Sequence, residues 1–158
     1  MLYLIRHTDA IDLEPDGARP LSAEGHEQVR RMAAFWRTCG EAPPREVWHS
    51  PLVRARETAA GLATLLGWKA PLQAVAGLQP EDDPTRLIPR LNAVEHSLAV
   101  IGHNPHLTTL ATLLVTGRET PPAFTVRKGA MIALEFSGSA SRGWVVQWQI
   151  DPGLLGKR

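Results

Sequence analysis

The sequence predicts a three-layer α/β/α domain, in which helices cover both faces of a mostly parallel central sheet and an antiparallel hairpin forms one edge. Short apolar runs suited to strands alternate with helical patterns over residues 2–117. Two strand-like runs, 131–136 and 144–150, follow with the glycine-bounded segment 138–143 between them, which is typical of a hairpin. The chain of 158 residues fits a single domain, so we treat residues 1–158 as one unit.

Four runs predict the parallel strands. Residues 2–5 and 98–101 are wholly apolar, as strands buried on both faces of a parallel sheet usually are. Residues 46–50 and 72–75 are less uniformly apolar, but they lie between helical patterns, so we expect them to be the second and third strands.

The first helix is well marked at both ends. Residues 8–20 are rich in Asp, Pro and Gly, which predicts a loop before it. Ser22 is suited to cap its N-terminus, and residues 40–44 end it. Its apolar face is marked by four residues at helical spacing: Val29, Met32, Ala33 and Trp36.

Three further helices follow. The second is predicted to begin with Ser50 as its N-cap and Pro51 at its first position, and to end at Gly67. Its apolar face comprises Ala55, Ala59, Leu62, Ala63 and Leu66. A third is predicted over 85–95, where Pro89 weakens the pattern. The last is marked by the spacing of Leu107, Leu110, Ala111 and Leu114.

Composition argues against several classes of protein. The net charge is only +1, with 17 basic and 16 acidic residues, so no nucleic-acid or membrane partner is expected. The lone Cys39 leaves no intrachain disulfide or multi-cysteine metal site. No apolar run reaches the roughly 20 residues of a membrane span. The stretch before His7 is too short for a signal peptide, so we expect a cytoplasmic protein.

Three chemically active side chains follow predicted strands. His7 comes after the first strand, His103 follows the 98–101 strand, and Arg54 lies in the first turn of the second helix. The carboxyl ends of parallel strands meet at one edge of the sheet, where ligands bind in α/β folds. We therefore expect these three residues, distant in sequence, to form one site.

His7 has the properties of a nucleophile toward phosphorus. A neutral imidazole can form a phosphohistidine intermediate, and a pKa near neutrality leaves the neutral form available. The neighbouring Arg6 is suited to bind phosphate oxygens. The alternative for an isolated Arg-His pair is a histidine that only caps a strand end.

His103 precedes a predicted helix, whose N-terminus could supply backbone donors to an anion. His103 and His106 also have the i, i+3 spacing of a metal-binding pair, but zinc needs a third ligand that the sequence does not indicate firmly. Arg56 lies two residues after Arg54, so we expect it on a different, solvated or structural side of the helix.

Four segments occur in an order that resembles a known family. They are Leu4-Ile5-Arg6-His7-Thr8, Arg19-Pro20-Leu21-Ser22-Ala23-Glu24-Gly25, Ser50-Pro51-Leu52-Val53-Arg54-Ala55-Arg56-Glu57-Thr58 and Val100-Ile101-Gly102-His103-Asn104-Pro105. Together they resemble the histidine phosphatase superfamily, also called the phosphoglycerate mutase-like family. The short chain and the Arg-Pro-Leu-Ser segment resemble its SixA-type branch of protein phosphohistidine phosphatases. The resemblance extends from Leu2 to about Pro152 and implies the phosphoglycerate mutase-like fold.

The resemblance implies that His7 is the phosphorylated nucleophile. The catalytic set that it implies is His7, Arg6, Arg54 and His103. It also implies that Arg19 lines the site, with pairing to Asp16 as the alternative. We add Thr8 and Asn104 as candidate substrate-binding residues. Thr8 stands where the family most often has Gly, which alters the local shape of the loop.

This set implies a metal-independent phosphatase without a cofactor. His7 would take the phosphoryl group while the cationic groups hold its oxygens, and water would then release phosphate. The candidate proton donors for the leaving group are Glu81, Asp82 and Asp83. Asp83 could equally cap a helix. The weak signal for an acid favours a labile P–N bond, so the expected substrate is a phosphorylated protein such as a histidine phosphotransfer domain.

Other functions remain open on the sequence alone. A small-molecule phosphomonoesterase would use the same His7 step, but its alkoxide leaving group needs a stronger acid. A mutase would need lid segments of which the sequence shows no sign. A non-catalytic phosphohistidine-binding module would usually lack one of the pocket residues. A zinc hydrolase built on His7, His103 and His106 is the remaining alternative.

Overall fold

The computed structural model describes residues 1–138 and 143–156. These residues form the strands β1 (Leu2–Arg6), β2 (Glu46–His49), β3 (Leu72–Ala74), β4 (Leu98–Gly102), β5 (Met131–Phe136) and β6 (Trp144–Ile150). Their α-helices are α1 (Ala23–Cys39), α2 (Val53–Leu66), α3 (Ile88–Asn92) and α4 (His106–Thr116). Short 3₁₀ helices occupy Asp16–Ala18, Pro84–Leu87 and Pro152–Leu154. None of the helices in these described ranges has the length and apolar character needed to cross a membrane.

The strands form one sheet in the order β3-β2-β4-β1-β5-β6. β1 and β4 pair in parallel at its centre, and β2 and β3 continue the parallel half. β5 runs antiparallel to β1 and pairs with β6, so the hairpin extends the sheet on the other side. The predicted parallel sheet with an antiparallel hairpin at its edge is therefore confirmed. Of the predicted hairpin loop 138–143, residues 139–142 lie outside the described part of the chain.

Helices bury both faces of the central strands. Along β1, Leu2 and Leu4 join the core on one face, whereas Tyr3 and Ile5 join the core on the other. The first core includes Leu91 of α3 and Leu110 of α4, and the second includes Met32 of α1 and Leu62 of α2. Each fully buried Leu or Ile stabilises the fold by about 2 kcal/mol. The three-layer arrangement predicted from the sequence is thus confirmed.

Helix α1 begins and ends as the sequence predicts. Oγ of Ser22 accepts a hydrogen bond from the backbone N–H of Gly25 at 3.0 Å, which caps the N-terminus. Gly40 ends the helix in the left-handed conformation, with a φ of 71°. The predicted apolar face is buried throughout: Val29, Met32, Ala33 and Trp36.

The start of α2 differs from the prediction. The helix begins at Val53 with Leu52 as its N-cap, so Ser50 and Pro51 are not its N-cap and first residue. Ser50 is still held by the sheet, because its N–H donates to the carbonyl of Ile101 at 3.0 Å. The chain therefore needs two more residues before it turns into the helix.

The single helix predicted over 85–95 is wrong in extent. The chain instead forms the 3₁₀ turn Pro84–Leu87, capped by Asp83, and then the short α3. Pro89 has no N–H to continue a helix from the preceding turn, but it is tolerated in the first turn of α3. The strand ends shift by a single residue: β1 and β4 are longer than predicted, and β2 and β3 are shorter.

Candidate active site

The pairing of β1 with β4 brings two histidines together. Arg6 lies opposite Gly102 in the sheet, and the N–H of His7 donates to the carbonyl of Gly102 at 3.0 Å. The residues that follow the two strands, His7 and His103, are therefore neighbours, with ring centroids 4.8 Å apart. This is the juxtaposition expected from the sequence at the carboxyl edge of the sheet.

A backbone carbonyl fixes the tautomer of His7. Its Nδ1 lies 2.7 Å from the carbonyl oxygen of Thr8. A carbonyl can only accept, so Nδ1 carries the proton and donates it. Nε2 then has its lone pair free, which is the state that a nucleophilic imidazole requires. The side chain is only 7% exposed, so its orientation is also constrained by packing.

The surroundings of His7 keep it neutral. Burial lowers its pKa from 6.5 to about 4, and the positive charges of Arg54, Arg6 and Lys128 act in the same direction. The hydrogen bond to the Thr8 carbonyl opposes this shift without cancelling it. At neutral pH the imidazole is therefore unprotonated on Nε2.

His103 is a second neutral imidazole at the carboxyl edge of the sheet. Burial is the main cause that lowers its pKa from 6.5 to about 3, and the positive charge of Arg54 acts in the same direction. The residue is 1% exposed, and neither ring nitrogen has a hydrogen-bond partner among the described residues. The ring nitrogens of His103 are therefore not committed to another protein group and can donate or accept a hydrogen bond.

Arg54 reaches the site from the first turn of α2. Its side chain is buried, and its Nη1 donates to the carbonyl of Asp16 at 2.9 Å. Its Nη2 forms an ion pair with Oδ2 of Asp16 at 3.1 Å. The positive charge of Arg54 lowers the pKa of both His7 and His103.

Arg6 approaches from the end of β1. Its Nη1 donates to the carbonyl of Val126 at 2.9 Å, while its buried Nε has no partner among the described residues. Burial lowers the pKa of its guanidinium, and the charge in turn lowers the pKa of His7. Two arginines and two neutral imidazoles, the four residues predicted to form the catalytic set, thus lie at the same edge of the sheet.

Thr8 supports the site from behind. Its N–H donates to Oγ1 of Thr58 at 3.1 Å, and the Thr58 hydroxyl donates to the carbonyl of Arg54 at 2.7 Å. Thr8 and Thr58 are both buried, so these bonds connect the end of β1 to the first turn of α2. Thr58 was not singled out from the sequence, although a polar residue one turn after Arg54 on the buried face of α2 was a usable signal.

Asn104 uses both ends of its amide within the protein. Its Nδ2 donates to the carbonyl of Val126 at 2.9 Å, and its Oδ1 accepts from the Thr108 hydroxyl at 3.1 Å. Arg6 and Asn104 therefore share one carbonyl acceptor, that of Val126. Nothing in the sequence around Val126 signals this contact, since a backbone carbonyl carries no side-chain signature.

Arg19 makes the pairing with Asp16 that the sequence offered as the alternative. Its Nη1 lies 3.1 Å from Oδ1 of Asp16, and its Nε donates to the carbonyl of Ile11 at 2.9 Å. Asp16 thus touches both Arg19 and Arg54, and the pKa of its carboxyl is lowered, mainly by the hydrogen bond from Arg19. A second acidic residue nearby, Asp9, pairs with Lys128 at 2.7 Å.

Two of the three predicted proton donors hydrogen-bond within their own loop. Oδ2 of Asp82 accepts from the N–H of Gln79 at 2.7 Å, and Oδ1 of Asp83 accepts from the N–H of Thr85 at 2.9 Å, as the capping alternative predicts. Glu81 is exposed. Among the described residues, no hydrogen bond joins these acids to either histidine of the site. The Thr85 contacts lower the pKa of Asp83, which makes it a poor acid.

The third histidine of the zinc alternative forms no metal-binding group with the other two among the described residues. His106 is buried at the start of α4, and burial lowers its pKa, while Asp82 and Asp83 act in the opposite direction. Within the described ranges, no three His, Cys, Asp or Glu side chains are grouped so as to hold a metal ion.

Comparisons with known proteins show the family of this chain. A model of the histidine phosphatase superfamily (branch 1) matches residues 2–80. Over 156 residues the chain is 30% identical to the phosphohistidine phosphatase SixA of Escherichia coli (strain K12), covering 96% of this chain and 93% of that protein.

Solved structures show the same fold. The protein histidine phosphatase SixA, complexed with tungstate, superposes with a TM-score of 0.86 at 25% identity, covering 98% of this chain and 99% of that one. The alpha-ribazole phosphatase of Shigella flexneri superposes with a TM-score of 0.77 at 16% identity, covering 96% of each chain, and shows likeness of fold alone. From the matched family, the SixA relative and the site at the carboxyl edge of the sheet, the chain belongs to the histidine phosphatase superfamily and is a phosphatase similar to SixA.

Proposed function

We propose that this phosphatase removes phosphoryl groups from phosphohistidine on a partner protein, through a covalent intermediate on His7 and without a metal ion. The observation that carries the proposal is the state of His7. Its Nδ1 proton is committed to the Thr8 carbonyl, its pKa is lowered to about 4, and its Nε2 lone pair is free beside cationic groups. A neutral imidazole in that setting is a competent nucleophile toward phosphorus.

The first step transfers the phosphoryl group to His7. Nε2 forms a bond to phosphorus while the P–N bond of the substrate breaks, and the leaving imidazole nitrogen takes a proton from solvent. Arg6 and Arg54 bind the equatorial oxygens of the phosphoryl group, whose charge they offset, and His103 donates one ring N–H to the same group. Positioning and charge stabilisation supply most of the catalysis in such transfers.

The second step releases phosphate. Water attacks phosphorus on the side opposite Nε2, the P–Nε2 bond breaks, and neutral His7 is restored. The two arginines supply the positive charge that a divalent cation supplies in metal-dependent phosphatases. The mechanism therefore requires no metal ligand from this chain or from its partner.

The shortage of an available proton donor favours a P–N substrate over a phosphate ester. An alkoxide leaving group needs a placed acid, which contributes about 10²–10⁴-fold in rate. Asp82 and Asp83 are committed to backbone N–H groups of their own loop. The pKa of Asp16, which contacts Arg54, is lowered and the carboxyl is ionised at neutral pH. An imidazole leaving group tolerates this shortage of acids far better than an alkoxide does.

An exposed loop beside the site is compatible with a protein partner. Residues 11–16 are all exposed, and they lead to the Asp16 contact with Arg54. A phosphorylated side chain on a folded partner, such as a histidine phosphotransfer domain, could reach such a site. This partner, and the cytoplasm as its location, form part of the proposal.

A small-molecule phosphomonoesterase is the second candidate, because the same transfer to His7 can begin from a phosphate ester. The two are separated by comparing kcat/KM for a phosphorylated histidine phosphotransfer domain with kcat/KM for a panel of sugar and glycerate phosphates. We expect the phosphoprotein to be preferred by at least about tenfold, and His7→Ala to turn over neither class. A preference for any phosphate ester would contradict the proposal, and binding without turnover by the wild type would indicate a phosphohistidine-binding module.

A further inference from the structure

One carboxylate bridges two arginines, one of which is Arg54 of the candidate site. Oδ2 of Asp16 lies 3.1 Å from Nη2 of Arg54, and Oδ1 of the same carboxylate lies 3.1 Å from Nη1 of Arg19. Arg54 is buried, whereas the Asp16 side chain is 57% exposed. The buried phosphate-binding arginine is thus covered from the solvent side by an ionised carboxylate.

The carboxylate occupies a donor that a phosphoryl oxygen would use. Carboxylate and phosphate compete for the same N–H groups of a guanidinium, because both bind its planar fork through charge-assisted hydrogen bonds. An anion approaching Arg54 from solvent therefore meets the negative charge of Asp16 first and must share or displace it.

We propose that Asp16 is an internal anion that occupies Arg54 in the free enzyme and is displaced when a phosphoryl group binds. This proposal rests on the proposed function, since it takes Arg54 as a phosphoryl ligand. The displacement makes the site selective: a dianionic phosphoryl group competes with the carboxylate, whereas singly charged anions such as chloride or acetate compete poorly.

Two contacts favour displacement over a role in orienting Arg54. The main-chain carbonyl of Asp16 accepts from Nη1 of Arg54 at 2.9 Å, so Arg54 keeps one tie to this loop when the carboxylate leaves. Arg19 holds the other carboxylate oxygen and is itself tied to the Ile11 carbonyl, so Asp16 has a place to remain after it releases Arg54. Because residues 11–16 are exposed, such a movement leaves the two cores undisturbed.

Inorganic phosphate binding measured by calorimetry at neutral pH tests the proposal. Asp16→Asn keeps the size of the side chain and removes its charge, so we expect it to bind phosphate about two- to fivefold more tightly than the wild type, as is typical of a partly exposed ion pair. Asp12→Asn is the matched control. Asp12 lies on the same loop, is fully exposed, and only approaches Arg19 at 3.9 Å, so its loss should leave phosphate affinity unchanged.

Three results would overturn the proposal. Unchanged or weaker phosphate binding by Asp16→Asn would show that the carboxylate does not compete, or that it orients Arg54. Equal tightening by Asp12→Asn would show a general charge effect of the loop. Failure of Asp16→Ala to tighten phosphate binding, with its fold checked by thermal unfolding, would also overturn the proposal, because both variants remove the charge.

The same experiment separates this proposal from the function on which it rests. Arg54→Ala should lose phosphate binding if Arg54 is a phosphoryl ligand, whatever Asp16 does. Loss in Arg54→Ala without tightening in Asp16→Asn would overturn the displacement alone. Unaltered binding in Arg54→Ala would contradict the phosphate pocket itself.

Discussion

At the residue scale, His7 and His103 illustrate how burial prepares a site for chemistry. Both rings are almost fully buried beside arginines, and burial is the main reason that their pKa values fall to about 4 and about 3. A folded protein that holds two histidines neutral in this way binds fewer protons than its unfolded chain does below pH 6.5.

This difference predicts a loss of stability in mild acid. As pH falls from about 6.5 toward 4, the unfolded chain binds protons at His7 and His103, whereas the folded protein leaves both residues neutral. The free energy of unfolding should therefore decrease by up to about 1.4 kcal/mol per pH unit for each histidine. Urea unfolding of the wild type and of His7→Gln between pH 7 and pH 4.5 measures it. The variant should lose stability less steeply, and an identical slope in both proteins would contradict the lowered pKa of His7.

A conservative change at Arg54 should be damaging. Arg54→Lys keeps the charge but loses the planar fork that binds a phosphoryl group through two N–H groups. We expect kcat/KM to fall by about 10²-fold, the range found when one preorganised donor to a transition state is removed. Arg56→Lys is the control, because Arg56 is exposed two residues further along the same helix, as the sequence predicts. Equal losses in both variants would contradict the role of Arg54.

At the scale of elements, the position of α1 depends on a glycine. A Cβ at residue 25 would lie 2.0 Å from the carbonyl oxygen of Asp9, so a side chain there must push apart α1 and the loop that follows His7. Gly25→Ala should lower the free energy of unfolding by about 1–3 kcal/mol, as overpacking does, and should reduce activity. Gly17→Ala is the control, since a Cβ there meets only Leu52 Cδ2 at 3.5 Å. Urea unfolding that finds Gly25→Ala as stable as the wild type would contradict this contact.

The elements also show what the sequence could and could not predict. Periodicity located β1, β4 and α1, because buried apolar runs and a capped amphipathic face are strong local signals. The prediction that α2 begins at Ser50-Pro51 is wrong, because the hydrogen bond that keeps Ser50 in the sheet outweighs its local preference for capping a helix. The helix over 85–95 was too long, because Pro89 divides it.

At the scale of the whole molecule, topology assembles the site from distant segments. The rule that parallel strands end at one edge was sufficient to place His7 beside His103. It could not predict the Asp16 contact with Arg54, or the Val126 carbonyl that Arg6 and Asn104 share. Those contacts join irregular loops far apart in sequence, and no periodic pattern or motif encodes them.

The charge of the assembled site predicts how the enzyme responds to chelators. In the proposed mechanism Arg6 and Arg54 supply the positive charge at the phosphoryl group, so incubation with excess EDTA should leave phosphatase activity unchanged. Activity is measured before and after the chelator, with added Mg²⁺ or Zn²⁺ as a second arm. Loss of activity that a divalent ion restores would contradict metal-independent chemistry.

The central claim is that the phosphoryl group passes through His7. Its most direct test is rapid quenching of the enzyme during turnover of a partner protein carrying a labelled phosphoryl group, followed by peptide mapping. The expected result is acid-labile label on the peptide that contains His7, and none on His7→Ala, which should also release no phosphate. Release of phosphate by His7→Ala at the wild-type rate, or label on a different residue, would contradict the account.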